Sequence, residues 1–253
     1  MRARADETGR LDQALVRAGL APTRARARAL IAARVVEVDG AVAAKPAQRV
    51  AQGATLRLAG DPCPYVSRAA LKLVHALDVF GLSPAGAVAL DLGASTGGFT
   101  QVLLERGAAE VWAVDVGHGQ IADDLRGDPR VRVIEGLNVR DLVPGQVPPP
   151  GWITADLSFI SLAKALPAAL ALARPGAILV ALVKPQFEAG PGAVGKGGIL
   201  RDPAVAARVR TEVAGFLRGA GWVVIGEAES PIAGGDGNRE FLTAARGPGA
   251  AQR

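Results

Sequence analysis

Two kinds of apolar spacing divide the chain. In the first 59 residues the apolar positions come in short bursts. Leu11, Ala14 and Leu15 recur at helical spacing and stop at Gly19. Thr23 suits a helix N-cap, and the helix predicted over 24–33 gathers Ala27, Leu30 and Ile31 on one stripe. Residues 35–38, the Asp39-Gly40 pair and Ala41-Val42 read as a hairpin around a favoured turn dipeptide, and 55–58 adds a short strand. Past Pro62 and Pro64, which resist both helix and central strand, the pattern changes. A helix is predicted over 67–79. Strands follow at 88–92, 111–116, 131–135, 152–156, 178–183, 222–226 and 240–244, with helical stretches or loops between them. Strands alternating with helices predict an α/β fold with a doubly wound, mainly parallel sheet. The last two strands lie close enough in sequence to pair antiparallel. The expected organisation is a small α+β domain over 1–59, a linker over 60–66, a large domain over 67–246 and a tail over 247–253.

Composition narrows the picture. A chain of 253 residues at 49% hydrophobic content can bury a sizeable core. Cys63 is the single cysteine, which excludes a disulfide framework and a cysteine-based metal site. His75 and His118 have no partner at ligand spacing, so no metal is expected. No apolar run reaches membrane-spanning length, and the N-terminal ten residues lack the apolar core of a secretory signal; a cytoplasmic location is expected. Net charge is +5, and Arg2, Arg4, Arg10, Arg17, Arg24, Arg26, Arg28 and Arg34 crowd the first stretch. Arg24 and Arg28 stand one helical turn apart. On charge alone, a phosphate-facing surface and a solvated helix face fit equally well.

The candidate chemistry sits at strand ends. Residues 90–100 read as an apolar strand ending in Asp91, then a turn through Gly93, Ala94, Ser95, Thr96, Gly97 and Gly98 into a helix. That geometry suits a nucleoside-bearing cofactor. It does not have the nicotinamide glycine spacing, and no P-loop sequence occurs. Asp115 ends the second strand, where a Rossmann-type acid meets ribose hydroxyls or a loop acid caps the stretch that follows, and Asn138 follows the third, as a contact to an adenine pocket or a common turn residue. Only five of the 29 basic residues are lysines: Lys45, Lys72, Lys164, Lys184 and Lys196. Lys184 and Asp156 fall at strand ends, Lys72 in the helix before the first strand, and Glu240 opens the last. Singly, each has an ordinary alternative: a helix cap for Asp156, a solvated strand end for Lys184, an edge strand for Glu240. Lysine can give up a proton where arginine cannot. The glycine-rich stretch 190–198 reads as a substrate-side lid on which Lys196 could meet a phosphate.

These residues carry a family resemblance. Arg10-Leu11-Asp12, Thr23-Arg24, Leu30-Ile31 and residues 36–40 closely resemble an S4 RNA-binding domain, with Arg34 where that pattern usually has glycine. Asp91-x-Gly93 resembles the S-adenosylmethionine loop of Rossmann-like methyltransferases. Residues 66–73, 91–100, 155–162 and 183–188 closely resemble the FtsJ-like 2′-O-methyltransferases, whose lysine–aspartate–lysine–glutamate tetrad matches Lys72, Asp156, Lys184 and Glu240. Together with the S4 module the chain resembles the TlyA family. Its members methylate the ribose 2′-hydroxyl of cytidines in ribosomal RNA, and some were first described as hemolysins. His118 stands where relatives often carry tyrosine.

The resemblance implies a Rossmann-like methyltransferase sheet with an N-terminal S4 domain. It implies S-adenosylmethionine as cofactor, held by the 93–98 turn with Asp91, Asp115, Asn138 and Asp156. It implies ribosomal RNA or ribosomal subunits as partner, met by Arg10, Arg24, Arg28, Arg68 and Lys196. A ribose hydroxyl is a poor nucleophile, and a neutral lysine amine can take its proton when burial and a neighbouring cation favour that form. Lys184 is assigned that role, with Lys72 as the neighbouring cation, Asp156 orienting Lys184, and Glu240 positioning Lys72 and the ribose. The competing reading is an RNA-binding, ribosome-associated factor with a vestigial methyltransferase domain, against which an intact tetrad argues. A membrane-lytic toxin, the third reading, has no amphipathic insertion segment to support it.

Overall fold

Two units, Met1–Ser67 and Arg68–Arg253, emerge in the computed structural model, which describes residues 1–21, 23–59, 63–190, 192–195 and 197–249. The first contains β1 (Arg2–Arg4), β2 (Gly9–Arg10), α1 (Leu11–Arg17), α2 (Arg24–Ala32), β3 (Val36–Val38), β4 (Ala41–Val42), β5 (Arg49–Val50) and β6 (Thr55–Leu58). Its main sheet has the order β1-β6-β3-β4 and is antiparallel throughout, and β2 pairs with β5. Leu11 and Leu15 from α1, Ile31 from α2 and Leu56 from β6 are completely buried in one core. Each contributes roughly 1.5–3 kcal/mol.

Local chemistry closes this unit. Thr23 Oγ1 accepts from Arg26 N at 3.1 Å and caps α2. Asp39 and Gly40 both take positive φ, +50° and +86°, the mirror-image turn that matches strand twist. The helix end is less expected. Arg34 adopts φ +59°, while Val35 N reaches Leu30 O at 3.3 Å and Arg34 N reaches Ile31 O at 3.0 Å. That is a complete Schellman closure built on an arginine, so the turn survives without the glycine. Strand β1 was not foreseen, because only Ala3 interrupts its two arginines; pairing with β6 makes it a strand.

The second unit runs α3 (Ala70–Phe80), β7 (Val88–Leu92), α4 (Gly98–Glu105), β8 (Glu110–Asp115), α5 (Asp123–Arg126), β9 (Val131–Glu135), a 3-10 turn (Val139–Asp141), β10 (Trp152–Ala155), α6 (Leu162–Ala165), α7 (Pro167–Leu172), β11 (Ile178–Val183), α8 (Pro185–Glu188), α9 (Pro203–Gly219), β12 (Val223–Glu229) and β13 (Phe241–Arg246). Its seven-stranded sheet has the order β12-β13-β11-β10-β7-β8-β9. The five strands from β11 to β9 are parallel, and β13 is antiparallel to both its neighbours. Glu240 therefore leads into an inner strand rather than an edge. Helices cover both faces, which is why β11 reads as an unbroken apolar run and is buried almost throughout. Leu90, Ile153 and Leu179 pack towards Leu162, Leu166 and Leu217 on one face. The strand order reverses between β7 and β10, and ligands of open α/β sheets bind beyond the strand ends at such a switch point. Among the described residues no helix is long and apolar enough to cross a membrane.

Candidate active site

A cavity of about 1140 Å³ opens at that switch point. Its wall takes Gly93 from the end of β7, Asp115 from β8, Asn138 after β9, Asp156 after β10 and Gln186 after β11. Gly93 takes φ +80°, and a Cβ there would fall 2.6 Å from the Asp156 carbonyl oxygen. Glycine is what lets the β7 and β10 ends approach. Ser95, also on the wall, has φ +48°, and its N–H donates to Asp115 Oδ2 at 2.8 Å. Gly117 N donates to Asp115 Oδ1 at 2.7 Å. Each oxygen of Asp115 keeps a further lone pair for a hydroxyl donor. Asn138 Oδ1 caps the 3-10 turn by accepting from Arg140 N at 3.1 Å.

Asp91 stands apart from the cavity wall. It is fully buried, accepting from Thr100 Oγ1 at 2.7 Å and Thr154 Oγ1 at 3.0 Å. Burial pushes its carboxyl up to about 6. Neither oxygen of Asp91 is exposed to the cavity. Asp91 fixes the strand end from beneath. Ala94, Thr96, Gly97 and Gly98 are not part of the wall either: Gly97, at φ +93°, packs where a Cβ would strike Leu125, and Gly98 begins α4.

The four tetrad candidates form two ion pairs. Lys184 Nζ lies 2.6 Å from Asp156 Oδ1 and donates to Ser158 Oγ at 3.0 Å. Lys72 Nζ lies 2.5 Å from Glu240 Oε2, both groups buried. The strands connect the pairs: β11 and β13 run in register from Ile178↔Arg246 to Val183↔Phe241, so the next step sets Lys184 beside Glu240. Helix α3 carries Lys72 on the same side as its buried Leu73 and Ala76.

Phe159 escaped the sequence reading. It lines the cavity 88% exposed, with φ +65°, a conformation costly for a bulky side chain, and its ring centroid lies 4.9 Å from that of Phe187. Glu188 on the same wall accepts from Leu162 N at 2.8 Å, and burial raises its carboxyl above the usual range. Neither role has a signal in the sequence, since both depend on backbone geometry.

In the first unit, Arg10, Arg24 and Arg28 converge on Asp12. Their nitrogens reach its carboxylate at 3.0, 3.2 and 3.3 Å. Asp12 is completely buried, whereas the arginine side chains remain 42%, 49% and 55% exposed. Three cations against one anion leave a positive outer surface. Arg68 is exposed just before α3, and Lys196 lies outside the described residues.

Residues 65–247 match the FtsJ-like methyltransferase family and residues 9–56 the S4 domain. The chain is 49% identical over 238 residues to the 16S/23S rRNA (cytidine-2′-O)-methyltransferase TlyA of Mycobacterium tuberculosis, covering 92% of this chain and 88% of that one. The chain belongs to the TlyA family of FtsJ-like methyltransferases. Hemolysin A of Brachyspira hyodysenteriae is 37% identical, covering 92% of this chain and 98% of its own. A solved structure from Streptococcus thermophilus, named as a presumed hemolysin, superposes with a TM-score of 0.76 at 40% identity, covering 98% of this chain and 92% of that one. The FtsJ-like family assignment spans the cavity and all four tetrad positions.

Proposed function

We propose that this protein transfers a methyl group from S-adenosylmethionine to the ribose 2′-hydroxyl of cytidine in ribosomal RNA. The observation that carries the reading is the pairing of Lys184 with Asp156, whose carboxylate side chain belongs to a cavity-wall residue, and of Lys72 on α3 with Glu240 just ahead of β13. The cavity fits the donor by its glycine approach at Gly93 and by the polar groups of Asp115 and Asn138. When bound, the donor supplies an electrophilic methyl on its sulfonium.

The chain's own residues supply the rest. Lys184 accepts the hydroxyl proton at Nζ, and Asp156 aims that amine. Lys72, fixed by Glu240, places a second cation beside the reacting oxygen. Holding the oxygen and the donor in line accounts for much of the acceleration. Phe159 offers an exposed ring on which the target base can stack. Only RNA presents the 2′-hydroxyl. The arginines around Asp12 supply a salt-sensitive grip on phosphates. Ribosomes as substrate put the protein in the cytoplasm.

The test is transfer of labelled methyl to unmodified ribosomal RNA, with ribose methylation mapped afterwards. Lys184→Arg keeps the charge and cannot release its proton; it is expected to abolish transfer while donor binding by calorimetry persists. Near-native transfer by that variant overturns the base assignment. RNA binding by the wild type with no transfer supports the vestigial reading instead.

A further inference from the structure

Asn238 is a buried polar side chain that neither ion pair nor the cavity wall uses. It is only 2% exposed, two residues before Glu240. Its Oδ1 accepts from Leu200 N at 2.8 Å, and its Nδ2 donates to Gly198 O at 2.9 Å. Its own carbonyl accepts from Gly234 N at 2.8 Å. One side chain thus satisfies a donor and an acceptor of the Gly197–Leu200 stretch, while its backbone closes the turn ahead of β13.

That turn presses on the second oxygen of Glu240. A Cβ at Gly234 would collide with Glu240 Oε1, so the turn wraps directly over the carboxylate whose other oxygen holds Lys72. On the other side, Gly197 and Gly198 take φ +83° and +76°, and Gly190 and Val194, a few residues earlier, line the cavity. Backbone of this kind has little packing of its own to hold it. Besides the backbone bonds Gly198 N to Gly195 O and Gly195 N to Ile199 O, the amide of Asn238 ties it to the turn ahead of β13.

We infer that Asn238 is a positioning residue that locks the Gly197–Leu200 stretch and the Glu240 turn into one unit, so that the substrate-side wall and the Lys72–Glu240 pair are set together. This rests on the methyltransferase reading for its catalytic consequence. No neutral side chain shorter than asparagine reaches both Leu200 N–H and Gly198 C=O. Aspartate keeps the acceptor and loses the donor, and alanine loses both.

The experiment compares full-length wild type, Asn238→Asp and Asn238→Ala. Amide hydrogen exchange is read with S-adenosylmethionine alone, and single-turnover methyl transfer with unmodified ribosomal RNA. Both variants are expected to speed exchange in peptides covering 197–200, alanine more than aspartate at Leu200, while β11 peptides and donor affinity stay as in the wild type. Transfer is expected to fall roughly 10-fold to 100-fold, with KM for RNA and the rate constant changing together. Transfer within twofold of wild type despite faster local exchange overturns the coupling. Faster exchange spread through β11 and β13 reduces Asn238 to fold support and overturns it too. A wild-type chain inert toward ribosomal RNA counts against the function alone, and the exchange comparison then decides the pinning.

Discussion

Asp12 in the small unit and Asp91 in the large one are both shut away from water, and the fold treats them in opposite ways. Asp12 meets three guanidiniums, which hold its carboxyl well below the usual range, Arg10 foremost through its hydrogen bonds. Asp91 meets two hydroxyls, and burial wins, pushing the carboxyl up to about 6. Arginine can only donate, so these neighbours favour the ionised form of Asp12. A threonine hydroxyl can donate to a carboxylate or accept from a carboxylic acid, so Asp91 is tolerated in either state. The first is a fixed hub for a cationic surface. The second is an adaptable post under a cavity whose wall carries another carboxylate, Asp156, and whose proposed ligand brings positive charge of its own.

The strongest way to break this contrast is Asp12→Ala. It leaves three guanidiniums crowded together with no anion, and a loss of about 2–4 kcal/mol is expected in urea unfolding of the full chain. A loss below about 1 kcal/mol refutes the hub. The pH dependence sharpens the same point. Asp12, depressed when folded, stabilises above its unfolded value of 3.8, and that contribution fades as pH falls below it.

Asp91 has the opposite sign. Its folded value of about 6 exceeds the unfolded 3.8, so the folded state binds the extra proton between them. Stability drains away as pH rises through that window, by roughly 3 kcal/mol for a shift of this size. Asp91→Asn, which keeps the shape, is expected to remove that slope and match or exceed the wild type at pH 8 in chemical denaturation. An unchanged slope contradicts the burial argument. Smaller effects should grade the arginines. Arg10→Gln removes the leading contribution to Asp12 and should cost the most of the three arginines. Arg28→Gln, at the most exposed of the three, should cost less than about 1 kcal/mol. A reversed order in the same denaturation series contradicts the ranking.

Much of the architecture was legible because it is written in local pattern. Apolar runs ending in Asp91, Asp115 and Asp156 announce parallel strands with acids at their tips, and Asp39-Gly40 announces its hairpin. What stayed hidden depends on partners distant in sequence. Arg24 and Arg28 show their helical spacing openly, yet nothing in it reveals that Asp12 collects them. Asp91 shows itself as a strand-end acid, yet nothing in its surroundings announces that Thr154, 63 residues on, donates to it. Arg2–Arg4 is a strand only because β6 pairs with it, and the strained backbone of Phe159 leaves no trace in residue type.

The insertion of β13 between β11 and β12 has a consequence for synthesis. Phe241–Arg246 leaves the ribosome after every other strand of its sheet, yet β12 meets the rest only through it. Until those residues emerge, β12 has no edge to join and Lys72 has no carboxylate to face. The Lys72–Glu240 pair, and with it the proposed site, is therefore completed only once the last strand of this sheet has been made.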